Sequence, residues 1–198
     1  MKSLTLVISL CALLTSSIGC TKKPPASLPP KGKAIADFNL LDQAGREVTL
    51  KTFQGQVWIA NFVFTTCPSI CPEVTRSVAG LQKELERSKN AAKIVTFTVD
   101  PETDTPDILK KYGEQYGADF SRWTFLTARS VKDMRNVVEG NFKTAMGDKQ
   151  INAAGMYDIA HTTKLVLVDQ DGNHRGYFSS DSKGMGHLIE ASSALLSR

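Results

Sequence analysis

The chain has 198 residues, enough for one domain of ordinary size or at most two small ones. Apolar residues make up 41% and charged residues 22%, which excludes a disordered, collagenous or coiled-coil chain. The net charge of +4 comes from 24 basic and 20 acidic residues scattered along the sequence; that is too mild and too dispersed for a nucleic-acid surface, so no nucleic-acid partner is expected.

At the N-terminus Lys2 supplies a short positive start, and Leu4 to Ile18 form an uncharged stretch. It is too short to span a bilayer comfortably as a helix but suits the hydrophobic part of a secretion signal. In Ser17-Ile18-Gly19-Cys20 small residues lead up to a cysteine. This resembles the bacterial lipoprotein signal, with Ser17 where that pattern usually carries leucine. The resemblance implies a signal peptide over 1–19, a lipidated Cys20 as the mature N-terminus, and a lipid anchor in the membrane of a bacterial cell envelope. Residues 20–33 then form a tether, and 21–33 hold four of the eight prolines. Polyproline II geometry, at about 3.1 Å per residue, lets such a segment reach roughly 40 Å from a membrane surface. Loss of 1–19 removes Cys11, and acylation uses the sulfur of Cys20. Cys67 and Cys71 are then the thiols of the expected mature domain, 34–198, in an oxidising compartment.

Within that domain, Phe38–Leu40 and Val48–Leu50 flank the turn-forming stretch Asp42–Gly45, which predicts a hairpin. Val57 to Phe64 (VWIANFVF) is nearly all apolar, as in a strand buried on both faces. Val74, Val78, Leu81 and Leu85 recur at helical spacing between Pro72 and Lys89. Ile94 to Val99 reads as a second central strand, and Thr105-Pro106 as a helix start with Ile108, Leu109, Tyr112 and Tyr116 on one face. A short strand over Trp123–Leu126 precedes a third helix marked by Val131, Met134 and Val138. Residues 140–155 read as a polar, Gly-containing loop or insertion. Leu165–Val168 is a strand that turns at Asp171-Gly172-Asn173 into Arg175–Phe178, and Met185, Leu188, Ile189, Ser192 and Leu195 mark the last helix. This order implies an α/β fold: a thioredoxin-like mixed sheet with helices on both faces and an extra N-terminal hairpin.

The chemistry centres on Thr65-Thr66-Cys67-Pro68-Ser69-Ile70-Cys71-Pro72-Glu73. Each cysteine precedes a proline, which disfavours helical geometry at the cysteine, while proline suits the first position of a helix. Cys71 is therefore expected as the helix cap, with Pro72 opening the helix. Both sulfurs would lie at its positive end, where thiol pKa values are lowered. Two such thiols either form a reversible disulfide or chelate a soft metal. Three residues separate them where thioredoxin-type motifs have two, leaving room for an ion between the sulfurs. A purely structural disulfide would close only a five-residue loop and contribute little.

The chain has three histidines. His174, after the turn, is expected to face water, and His187 lies beside the apolar stripe of the last helix. His161 enters the strand 165–168, the segment that abuts the cysteine turn in a thioredoxin-like layout. Thioredoxins carry a cis-proline there, and this sequence has no proline after Pro106. The pattern alone leaves His161 as a third ligand or as a hydrogen-bonded histidine at a strand edge.

The combination of FVFTTCPSICPE (62–73), VDPETDTP (99–106), Tyr157–Thr162 and DQDGNHRGYF (169–178) resembles the Sco/SenC family of copper-binding, cytochrome c oxidase assembly proteins. The resemblance covers most of residues 35–198. It implies one copper ion per domain, Cu(I) or Cu(II), on Cys67, Cys71 and His161. It also implies a cytochrome c oxidase subunit carrying the CuA site, or another copper protein, as recipient, so that the protein acts as a chaperone more than as an enzyme. Two thiolates suit Cu(I), and an imidazole lets a site also hold Cu(II). The competing reading is a thiol-disulfide oxidoreductase acting on partner cysteines, with Cys67 and Cys71 as its catalytic pair, joined as a disulfide when oxidised. A peroxidase is disfavoured because Ala60 and Phe64 stand where peroxiredoxins carry proline and Ser or Thr. Zinc is disfavoured because no acid–base partner accompanies the cysteines and the histidine. Asp100–Pro106 reads as structural, a strand end leading into a helix capped by Thr105.

Overall fold

The computed structural model describes residues 28–68, 70–151 and 157–197; the expected signal peptide, Cys20 and the tether up to residue 27 lie outside the described residues. The hairpin forms as expected from β1 (Asn39–Asp42) and β2 (Glu47–Thr49). Asp42 closes it: its carboxylate accepts the backbone N–H groups of Ala44 and Arg46 at 2.8 and 2.9 Å. Then follow β3 (Trp58–Val63), α1 (Ile70–Arg87), β4 (Lys93–Thr98), α2 (Pro106–Gln115), β5 (Trp123–Thr127) and α3 (Val131–Phe142). A two-strand ribbon, β6 (Gln150–Ile151) and β7 (Tyr157–Asp158), precedes β8 (Leu165–Val168), β9 (His174–Phe178) and α4 (Ser182–Leu196).

Seven strands make one mixed sheet in the order β2-β1-β5-β4-β3-β8-β9. All six residues of β3 are buried, which the near-continuous apolar run requires of a strand covered on both faces. Its side chains alternate between faces. Trp58 and Phe62 meet Phe142 of α3 at 6.2 and 5.1 Å between ring centroids, and Phe97 of β4 meets the same ring at 5.1 Å. On the other face, Thr96 accepts the indole N–H of Trp123 at 2.7 Å, and Tyr112 of α2 packs edge-on against Phe125. Tyr112 in turn shares a 2.7 Å hydrogen bond with Thr75 of α1. So α1 and α2 cover the face opposite α3. Each large apolar side chain buried here contributes about 1.5–3 kcal/mol, and β3 with its neighbours is where that burial is densest.

Strand direction decides where chemistry can be placed. β3, β4 and β5 run parallel, so their C-terminal ends, the N-termini of α1 and α2 and the connection 99–105 all gather at one end of the sheet. β8 pairs antiparallel to β3, with Ala60 opposite Val166, which brings the segment entering β8 to that same end.

Three expectations need correction. Helix α1 starts at Ile70, so Cys71 lies inside the first turn and does not cap it. A proline is tolerated there because first-turn N–H groups have no intrahelical acceptor to lose. The stretch 140–155 is less irregular than its composition suggests: α3 continues to Phe142, and Gln150–Ile151 pairs with Tyr157–Asp158. His174 is 7% exposed and does not face water. The segment 32–35 runs along β9, with Gly32 N–H on the His174 carbonyl at 2.7 Å and His174 N–H on the Lys33 carbonyl at 3.0 Å. The imidazole is thereby enclosed, between Phe142 and Tyr177.

Candidate metal centre

Cys67 and Cys71 come together where β3 gives way to α1. The Cys67 N–H bonds back to the Phe64 carbonyl at 3.2 Å, closing a turn over Phe64–Cys67. Cys67 is 5% and Cys71 1% exposed, and no disulfide joins them. The Cys71 carbonyl accepts the Thr75 hydroxyl at 2.7 Å, and Thr75 is tied to Tyr112, so the first turn of α1 is fixed from beneath.

The expected low thiol pKa is not found at Cys71. Burial pushes the Cys71 thiol far up from its ordinary value, and the adjacent Cys67 thiol adds to the rise; a backbone hydrogen bond at Phe64 offsets it in part. Desolvation outweighs the helix terminus because a thiolate sealed from water loses more than the dipole returns. A soft metal ion must therefore displace protons from these sulfurs as it binds.

His161 arrives from the ribbon. Its Nε2 lies 3.5 Å from Cys71 Sγ, and its ring packs edge-on against Phe64 at 5.8 Å. Nδ1 is 2.9 Å from the Thr162 carbonyl oxygen. A carbonyl only accepts, so the proton sits on Nδ1 and the Nε2 lone pair points to the sulfur, the tautomer a metal ligand needs. Burial lowers the His161 pKa below its usual value, opposed by the Thr162 carbonyl and by Asp158, which keeps the ring neutral near neutral pH. The other two histidines are not recruited: His174 Nε2–H donates to the Asn141 carbonyl at 2.7 Å, and His187 lies on α4.

Cys71 is thus in contact with both other expected ligands, Cys67 on one side and His161 on the other. Among the described residues no three His, Cys, Asp or Glu side chains are closed into a ready metal cage. The donor set matches a soft ion: two sulfurs and one oriented imidazole.

Sequence reading missed Asp104. It has no exposed surface. Its Oδ2 accepts Thr65 N–H at 3.0 Å and the Thr98 hydroxyl at 2.5 Å, and its Oδ1 accepts the Thr65 hydroxyl at 2.5 Å. The carboxylate thereby grips the turn that carries Cys67. The available signal was the pair of aspartates in Asp100–Pro106, which the cap at Thr105 explains only in part.

The profile of the SCO1/SenC family matches residues 27–196. A SCO1/SenC family lipoprotein from Bacillus anthracis has a similar structure, with a TM-score of 0.78 and 29% identity over 86% of this chain and 99% of that one. BsSco, described with a disulfide switch and as a member of the Sco family of cytochrome c oxidase assembly proteins, superposes with a TM-score of 0.70 at 30% identity, covering 84% of this chain and 96% of that one. The copper-bound ScoI of Bradyrhizobium japonicum shares the fold, with a TM-score of 0.70 and 23% identity over 82% of this chain and the whole of that one.

Proposed function

The chain belongs to the SCO1/SenC family, and on that premise we propose that it is a copper-binding protein tethered to the envelope membrane by a lipid on Cys20, which passes copper to the cytochrome c oxidase subunit carrying the CuA centre. Copper handling and cytochrome c oxidase assembly are the work of this family. One ion per domain, Cu(I) or Cu(II), would be held by Cys67, Cys71 and His161. The observation that carries the reading is the unprotonated Nε2 of His161 facing Cys71 Sγ at 3.5 Å, beside the second thiol. Thiolates supply soft donors for Cu(I), and the imidazole supplies a donor that also suits Cu(II). Titration of reduced protein with Cu(I) against a competing chelator should show one tightly held ion, and Cys71→Ser should hold none. For the anchor, mass spectrometry of the membrane fraction should find a diacylglyceryl adduct on Cys20; a soluble species starting elsewhere would contradict it.

The second reading, a thiol-disulfide oxidoreductase, draws support from the contact between the Cys67 and Cys71 thiols, which puts disulfide formation within reach. The His161→Ala variant separates the two: it should abolish tight Cu(II) binding while leaving dithiol exchange largely intact.

A further inference from the structure

The connection Asp100–Pro106 touches both ligand-bearing segments. Asp104 grips the Cys67 turn through Thr65, a contact 39 residues apart in sequence. Asp100, at the other end of the same connection, reaches the ribbon instead. Its buried Oδ2 accepts from Lys149 Nζ at 2.8 Å, and the same ammonium donates to the Thr103 hydroxyl at 2.9 Å and sits 4.7 Å above the Tyr157 ring. Asp104 N–H closes the connection onto the Asp100 carbonyl at 2.8 Å, so the two grips share one rigid turn.

The ribbon passes that hold on to His161. Lys149 immediately precedes β6, and β7 leads through the buried Ile159 and the exposed Ala160 to His161. Gly147 N–H donates to the Ala160 carbonyl at 2.8 Å, next to the histidine. A Cβ on Gly147 would stand 3.0 Å from the Ala160 Cβ and 3.1 Å from its nitrogen, so the segments leading into β6 and out of β7 touch closely. Arg135 of α3 secures the same stretch by donating to the Met146 carbonyl and, at 2.6 Å, to Asp148.

We propose that Asp104 and Lys149 are positioning residues, and that the Asp100–Pro106 connection sets the spacing between the cysteine pair and His161 by holding one segment with each. The inference rests on the copper-binding reading for its consequence. Its geometry is testable without metal. Asp104 holds the Cys67 turn through Thr65, and its charge also bears on the Cys71 thiol; Lys149 acts through β6, β7 and Ala160.

The consequence is divided. Loosening Asp104 disturbs both sulfurs. Loosening Lys149 disturbs only the nitrogen donor. Lys149→Met alone would leave the Asp100 carboxylate buried without its cation, so the cleaner variant is Asp100→Asn/Lys149→Met, which removes both charges together.

The test uses metal-free and copper-loaded protein, with thermal unfolding recorded for each variant. In metal-free protein, Cys71, 1% exposed, should be alkylated slowly by iodoacetamide because His161 and the turn cover it. Asp100→Asn/Lys149→Met should speed that reaction about tenfold, with Cys67 little changed, and Asp104→Asn should speed both thiols. With copper, Asp100→Asn/Lys149→Met should keep Cu(I) affinity within a few-fold but weaken the nitrogen hyperfine coupling of the Cu(II) form. Lys149→Arg on its own, with Asp100 in place, should keep the coupling, because a guanidinium still reaches Asp100. Unchanged alkylation in both variants overturns the proposal, whatever copper does. So does a loss of nitrogen coupling that Lys149→Arg shares. Failure of the parent protein to bind copper would overturn the functional reading instead, with alkylation still deciding the positioning claim.

Discussion

Cys67 and Cys71 stand on a short turn fixed by a carboxylate with no exposed surface, whereas His161 stands in Ile159–Lys164, a stretch without regular secondary structure. The sulfurs are held from within the sheet: Asp104 joins Thr65 after β3 to Thr98 at the end of β4, and Thr75 holds the Cys71 carbonyl. The imidazole is held from outside, through a ribbon of two-residue strands and an ammonium that is partly open to solvent. The difference assigns the two kinds of donor different tasks. On the proposed copper-binding reading, the fixed sulfurs would keep the ion and the imidazole on a loop would yield first to a partner's ligand.

The harshest way to break this comparison is to exchange the damage. Cys67→Ser/Cys71→Ser should leave no copper in competition with a chelator. His161→Ala should cost Cu(I) affinity only about ten- to a hundredfold, roughly 1.4–2.8 kcal/mol. Equal losses would mean that the histidine is as firmly built in as the sulfurs. Stability should show the same asymmetry. Asp104→Ala leaves two half-buried donors on Thr65 and the buried Thr98 hydroxyl without an acceptor, and should lower unfolding free energy by about 2–4 kcal/mol in a denaturant titration. Gly147→Ala, on the ribbon, forces Ala160 to shift and should cost about 1–2 kcal/mol while changing the environment of the His161 imidazole resonances.

These elements also mark what was legible in the sequence. The cysteine pair, its prolines and the apolar run before it are local, and local signals placed them at the end of a central strand. The hairpin at Asp42–Gly45 and the cap at Thr105 were legible for the same reason. His161 was singled out among three histidines by its place ahead of the strand 165–168, and the family resemblance chose between a ligand and a hydrogen-bonded histidine at a strand edge. Asp104 and Lys149 were invisible as positioning groups, because Thr65 and Asp100 lie 39 and 49 residues away from them; the parallel register of β3 and β4 brings Thr65 to Asp104, and the ribbon folding back brings Lys149 to Asp100. The thiol pKa was misjudged because a helix terminus is written in the sequence and burial is not. The environment of His174 was misjudged likewise: its cover, the segment 32–35, comes from the far end of the domain.

The smallest effect sharpens that last point. Burial lowers the pKa of His174, offset in part by its bond to the Asn141 carbonyl. As pH falls below the ordinary histidine value, about 6.5, the unfolded chain takes up a proton that the folded chain refuses, so stability is lost on acidification. The loss continues until pH reaches the lower folded pKa. In that window metal-free protein should lose up to about 1.4 kcal/mol per pH unit for this histidine, and His174→Gln should flatten the slope. A slope unchanged by the substitution would place its source elsewhere.

The central claim, that Cys67, Cys71 and His161 together hold copper, is tested most directly by redox state. A disulfide between Cys67 and Cys71 removes two of the three donors at once and leaves an imidazole that cannot retain the ion alone. Cu(I) titration against a chelator should therefore find about one copper per chain in the reduced protein, none after the disulfide is formed, and full recovery on reduction. Equal binding by both forms would place the metal away from the cysteines and contradict the account.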